Sequence, residues 1–203
     1  MVKKNLKRKN EENKIAKEIC EGLEAEFKNG KLAIGTQKHV MIGCTVGVKK
    51  NELKLLFQSA KQDVVVFLKE EKERKIPEAD LIERFRGSFC DKDHEFTIPF
   101  LIFEVKYKNI TTHQARQYSE EARMIKHIFP FCLYNLVLIK TGNIKQDNVD
   151  KVYMAGKNFD EILYFDTRNS EEIVKKLKDV VKGHMNSLKE NKYFRFKNFI
   201  NGT

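Results

Sequence analysis

The chain has 203 residues, 41% of them hydrophobic and 33% charged, with 39 Lys plus Arg against 29 Asp plus Glu and a net charge of +10. That length suits one domain with a sizeable core, and the positive excess favours a polyanionic partner, with nucleic acid the commonest. No run approaches the roughly 20 apolar residues of a membrane span, and the opening "MVKKNLKRKNEENK" lacks the apolar stretch of a secretory signal, so a cytoplasmic protein with no membrane partner is expected.

Residues 1–10 read as a basic tail. Ile15, Ile19, Leu23 and Phe27 then recur every four residues and "KNGK" closes the segment, which predicts an amphipathic helix. "HVMIGCTVGV" (39–48) is rich in β-branched residues and is read as a strand. "NELKLLFQSAKQ" (51–62) is expected to be helical, and "DVVVFL" (63–68) to be a central strand, since it is almost continuously apolar. An insertion is expected at 70–95, with a short helix over 77–86 that Pro77 opens and Gly87 closes. "FTIPFLIFEVKY" (96–107) is a strand. "TTHQARQYSEEARMIKHIF" (111–129) is a helix capped by Thr111, with Ala115, Tyr118, Ala122, Ile125 and Phe129 as its stripe. Pro130 ends it. "FCLYNLVLI" (131–139) and "EILYFD" (161–166) are strands, Ser170 starts a long amphipathic helix, and 190–203 forms a basic, aromatic tail. Alternating helices and buried strands predict an α/β fold with a mixed central sheet flanked by helices, in one domain spanning 1–203.

Glu104 and Lys106 sit two apart on a strand, so they share a face while Val105 points away. Cleaving a phosphodiester with the help of a divalent cation takes oxygen ligands plus a positive group to steady developing charge. An E-x-K strand end supplies one of each and lacks a second carboxylate, which a neighbouring strand has to provide. Asp63, at the head of "DVVVFL", is the leading candidate. Asp80 is the rival, and it serves only if "ADLIERF" is a strand instead of a helix. Cys20, Cys44, Cys90 and Cys132 are scattered, with no C-x-x-C pair, and are read as reduced packing thiols. His39, His113, His127 and His184 have no partner identifiable in sequence.

An acid on one strand, E-x-K on the next, then a helix and a further strand: this order, carried by Asp63-Val64-Val65-Val66-Phe67, Glu104-Val105-Lys106, the 111–129 helix and the 131–139 strand, resembles the PD-(D/E)xK nuclease superfamily. The proline that often precedes the first acid in that family is replaced by Gln62. The resemblance implies a restriction-endonuclease-like core and a Mg²⁺-dependent endonuclease that cuts DNA, of type II restriction kind, with Mn²⁺ as a substitute metal. It further implies that Asp63 and Glu104 hold the metal, that the Val105 carbonyl completes the coordination and that Lys106 orients or activates water. Gln114 and Tyr118 form a Q-x-x-x-Y spacing similar to that of the exonuclease and RecB-like branch; Tyr118 also falls on the apolar stripe, and Gln114 stands at its edge. The family's first helix sometimes lends an acid, here Glu18, Glu24 or Glu26, although a solvated helical face explains those residues as well.

Cutting both strands of a duplex calls for two active sites, so double-stranded DNA and a homodimer are the expected partners. In the C-terminal tail Lys192, Arg195 and Lys197 alternate with aromatics, a pattern suited to nucleic-acid binding. A Holliday-junction or repair nuclease would use the same three catalytic residues. A non-catalytic nucleic-acid-binding protein, with E-x-K as a plain salt bridge, is the alternative of another class.

Overall fold

Where Ile15, Ile19 and Leu23 recur every fourth residue the chain is helical and all three are buried. The computed structural model describes residues 2–49, 52–69, 97–108, 110–140 and 146–190. In chain order it shows α1 (Val2–Glu26), β1 (Leu32–Lys49), β2 (Glu52–Leu68), β3 (Leu101–Tyr107), α2 (Thr112–Ile128), β4 (Leu133–Ile139), α3 (Gln146–Ala155), β5 (Glu161–Phe165) and α4 (Ser170–Glu190).

The five strands form one sheet in the order β1-β2-β3-β4-β5. β1, β2 and β3 are antiparallel neighbours, while β4 and β5 run parallel to β3. Parallel neighbours need a crossover, and α2 and α3 provide the two that this sheet requires. α1 and α4 cover one face, burying Ile15, Ile19, Leu23, Ile173 and Leu177 against Val64, Phe103 and Val105. α2 and α3 cover the other, packing Ala115, Ala122, Ile125 and Val152 on Val65, Ile102, Tyr134 and Leu136. The result is an α/β fold with a mixed sheet flanked by helices. Burying an aliphatic side chain contributes roughly 1.5–3 kcal/mol, against a few tenths for an exposed pair such as Lys17–Glu21. Packing therefore holds α1. A Cβ added at Gly22 would stand 2.6 Å from a Val174 methyl, so the α1–α4 approach needs glycine there.

Several expectations change. Of the segment 51–62, expected to be helical, residues 52–62 belong to β2, paired in antiparallel register with β1 from Lys49↔Glu52 to Leu32↔Leu68. Leu, Lys, Glu and Gln are good helix formers, but helix propensity is worth only tenths of a kcal/mol per residue, and pairing with a β-branched partner strand outweighs it. The helix starts earlier than expected: α1 begins at Val2, so residues 2–10 are part of it. The third strand starts at Leu101 instead of 96, and α3 was missed because its run is short and weakly striped. The insertion and its 77–86 helix lie outside the described residues, as do Asp80, Cys90 and the tail from 191 on. Cys20 and Cys132 are free and buried, as expected of packing thiols.

Candidate active site

The site is built where two strands part. β2 and β3 pair only through Val64↔Phe103, Val65↔Ile102 and Val66↔Leu101. Past Phe103, β3 has no antiparallel partner among the described residues, and its backbone N–H groups must find other acceptors. Val105 N–H donates to Asp63 Oδ2 at 3.0 Å, and Tyr107 N–H donates to Glu12 Oε1 at 3.3 Å. In an antiparallel strand the N–H and C=O of one residue face the same neighbour. The Val105 carbonyl therefore looks towards Asp63's side of the sheet.

Opposite Asp63 on β1, between the pairs Thr36↔Val64 and Lys38↔Gln62, stands Gln37. Its φ of 53° is left-handed, which costs a non-glycine residue about 1–2 kcal/mol. Gln37 Nε2 donates to Asp63 Oδ1 at 3.0 Å, so the strained residue holds the carboxylate's second oxygen.

Lys106 lies between the acids. Its Nζ is 2.6 Å from Glu104 Oε1 and 3.3 Å from Asp63 Oδ2, and it stands 4.3 Å from the centre of the Tyr118 ring on α2. Only 4% of Glu104 and 7% of Lys106 is exposed. Burial pushes the Glu104 carboxyl up to about 8; Lys106 pulls it down and Asp63 adds to the rise. For Lys106, burial works against the charge, but Glu104 and Asp63 outweigh it and hold the ammonium above the usual lysine range. Glu121, half-buried on α2, is also raised, chiefly by burial.

Three carboxylates, Asp63, Glu104 and Glu121, thus act on one ammonium. With all three ionised the cluster is two charges short of neutral, which a divalent cation would balance. Oxygen donors of this kind suit a hard cation such as Mg²⁺, which uses one or two protein carboxylates beside water and substrate phosphate. Among the described residues no group of three or more His, Cys, Asp or Glu side chains is arranged to hold a metal ion. The oxygen atoms that such an ion would have to draw on here are those of Asp63 and Glu104 and the Val105 carbonyl.

Of the residues picked from sequence, Asp63, Glu104, Lys106 and Tyr118 come together. Gln114 does not join them. Its Oε1 accepts from Thr111 N–H at 3.1 Å, and its own N–H donates to Thr111 Oγ1 at 3.2 Å in a capping box that starts α2. Glu18 and Glu26 pair with Lys14 and Lys178 on the helix surface, and the acid of α1 that reaches β3 is Glu12. His39 pairs with Ser59, and His184 with the Phe131 carbonyl. Asp80, Lys192, Arg195 and Lys197 lie outside the described residues. Sequence reasoning missed Gln37, Gln62 and Glu121. Glu121 had a signal, since it lies three residues beyond Tyr118 on one helical face; the glutamines had none.

No protein-family model, no curated protein and no solved structure matches the chain. No helix among the described residues is long and apolar enough to cross a membrane.

Proposed function

We propose that this chain is a Mg²⁺-dependent DNA endonuclease of the PD-(D/E)xK kind with a restriction-endonuclease-like core, acting as a type II restriction enzyme. The observation that carries the reading is the Lys106 ammonium placed 2.6 Å from Glu104 and 3.3 Å from Asp63 at the point where β2 leaves β3. Asp63, Glu104 and the Val105 carbonyl would hold Mg²⁺, or Mn²⁺ in its place. When bound, the ion supplies Lewis-acid polarisation of the phosphate and lowers the pKa of a water. Lys106 steadies negative charge on the phosphate oxygens as it develops, and the Tyr118 ring keeps the ammonium in position. The net charge of +10 supports duplex DNA as the partner. Double-strand cutting makes a homodimer the working form, and the cytoplasm is its compartment.

The test incubates wild type, Lys106→Met and Glu104→Ala with plasmid, phage and four-way-junction DNA in Mg²⁺ and in Mn²⁺, with DNA binding measured separately in Ca²⁺. Lys106→Met should bind like wild type and cleave on the order of 10²–10³-fold more slowly, since the lost charge matters mainly in the transition state. Glu104→Ala should lose metal affinity as well. Preferred cutting of the junction would move the reading to a junction-resolving or repair nuclease. Tight duplex binding with no cleavage under any metal would replace it with a binding protein.

A further inference from the structure

Val64 and Val66 pack in the α1–α4 layer, and Val65 packs in the α2–α3 layer. Strict alternation would put Gln62 with Val64. Instead Gln62 faces α2, where its Oε1 accepts from Tyr134 Oη–H at 2.6 Å and its Nε2 donates across a long 3.5 Å to Glu121 Oε2. β2 therefore rotates at Asp63, and that rotation takes the Asp63 carboxylate out of both helix layers and aims it along the sheet at Val105 N–H. Tyr134 lies on β4, across β3 from Gln62, its strand neighbour Ile102 pairing in turn with Val65. Gln62 and Tyr134 are each 0% exposed, so neither has water as an alternative partner. An unpaired carboxamide there would carry its full desolvation cost.

We infer that Gln62 and Tyr134 form a positioning pair: their hydrogen bond across β3 holds the rotated turn of β2 and so sets the Asp63 carboxylate against Val105, in the place a metal ligand has to occupy. The metal part of this inference rests on the nuclease reading; the placement of Asp63 does not. Neither residue touches the reacting atoms. Both act through Asp63, as hydrogen-bonded outer partners of a ligand do. Gln37 steadies the same carboxylate from β1, but it is exposed and grips only Oδ1. The buried pair is what holds the strand in its rotated course.

The experiment compares wild type, Tyr134→Phe and Gln62→Met, which remove the hydrogen bond with little change of volume, and includes Asp63→Asn as the reference for loss of the ligand. Amide hydrogen exchange, measured without metal, should speed up roughly five- to tenfold at Val105 in both variants, the equivalent of one lost hydrogen bond, while Leu101, Ile102 and Phe103 keep wild-type protection. Calorimetric Mn²⁺ affinity should fall about 10–100-fold. Wild-type protection of Val105 in both variants would overturn the inference, whatever the metal does. So would unchanged Mn²⁺ affinity in the variants when Asp63→Asn has lost it. Faster exchange at Val105 in a protein whose wild type binds no Mn²⁺ would uphold the positioning of Asp63 and refute the nuclease reading alone.

Discussion

Divalent metal should displace a proton from Glu104, and the number released should depend on pH in a calculable way. Burial lifts this carboxyl from 4.5 to about 8. At pH 7 the metal-free protein then keeps Glu104 about 90% protonated, at pH 8 about 50%, and at pH 9 about 10%. A carboxyl ligates a cation only as the carboxylate, so metal binding expels whatever proton is held. Release should be about 0.9 proton at pH 7, 0.5 at pH 8 and 0.1 at pH 9. Below pH 8 the metal affinity should drop about tenfold per pH unit, equivalent to roughly 1.4 kcal/mol.

Stability carries the opposite sign. A carboxyl whose folded pKa is raised stabilises the metal-free fold fully below 4.5, and the contribution is lost as the pH climbs through about 8. Without metal the fold should therefore weaken from pH 5 to 8, and saturating Mg²⁺ should flatten that decline. The assay is calorimetric titration with Mn²⁺ at each pH in buffers of different ionisation enthalpy, where the slope of apparent against buffer enthalpy counts protons. Glu104→Gln should bring the count close to zero. The reasoning is refuted if proton release stays constant from pH 7 to 9, or if Glu104→Gln releases as many protons as wild type.

Mg²⁺ or Mn²⁺ should raise the thermal midpoint of wild type and hardly change that of Asp63→Asn; an equal rise in both proteins would remove Asp63 from the site and promote Asp80. If Lys192, Arg195 and Lys197 each touch a phosphate, deleting 191–203 should make the slope of log K for duplex DNA against log salt shallower by about 3. An unchanged slope would assign that tail to a structural role. Gln114→Ala should cost about 1 kcal/mol in chemical denaturation, because it removes one half of the Thr111 capping box, and leave cleavage at the wild-type rate. A cleavage defect out of proportion to the stability loss would return Gln114 to the site.

What the sequence alone determined is whatever depends on near neighbours along the chain. The cap at Thr111 and the stripe of α2 follow from a threonine ahead of an apolar run with a 3.6-residue period, whereas Gln114's part in the cap came only with the structure. The strands near 131–139 and 161–166 follow from apolar runs bounded by breakers. That Glu104 and Lys106 share a face follows from the two-residue period of a strand, which no tertiary contact has to supply. The tertiary structure alone decided the rest. Residues 52–62 carry side chains that sit acceptably in helix or strand, and they became strand because β1 offered a ladder along their whole length. Asp63 reaches Val105 because β2 leaves β3 after three pairs and rotates there, where Gln62 is bonded across β3 to Tyr134 and a left-handed Gln37 stands opposite. Those partners lie 72 and 26 residues from their mates, too far for any local period to register. A buried amide draws its meaning from what surrounds it, and only folding brings those surroundings together.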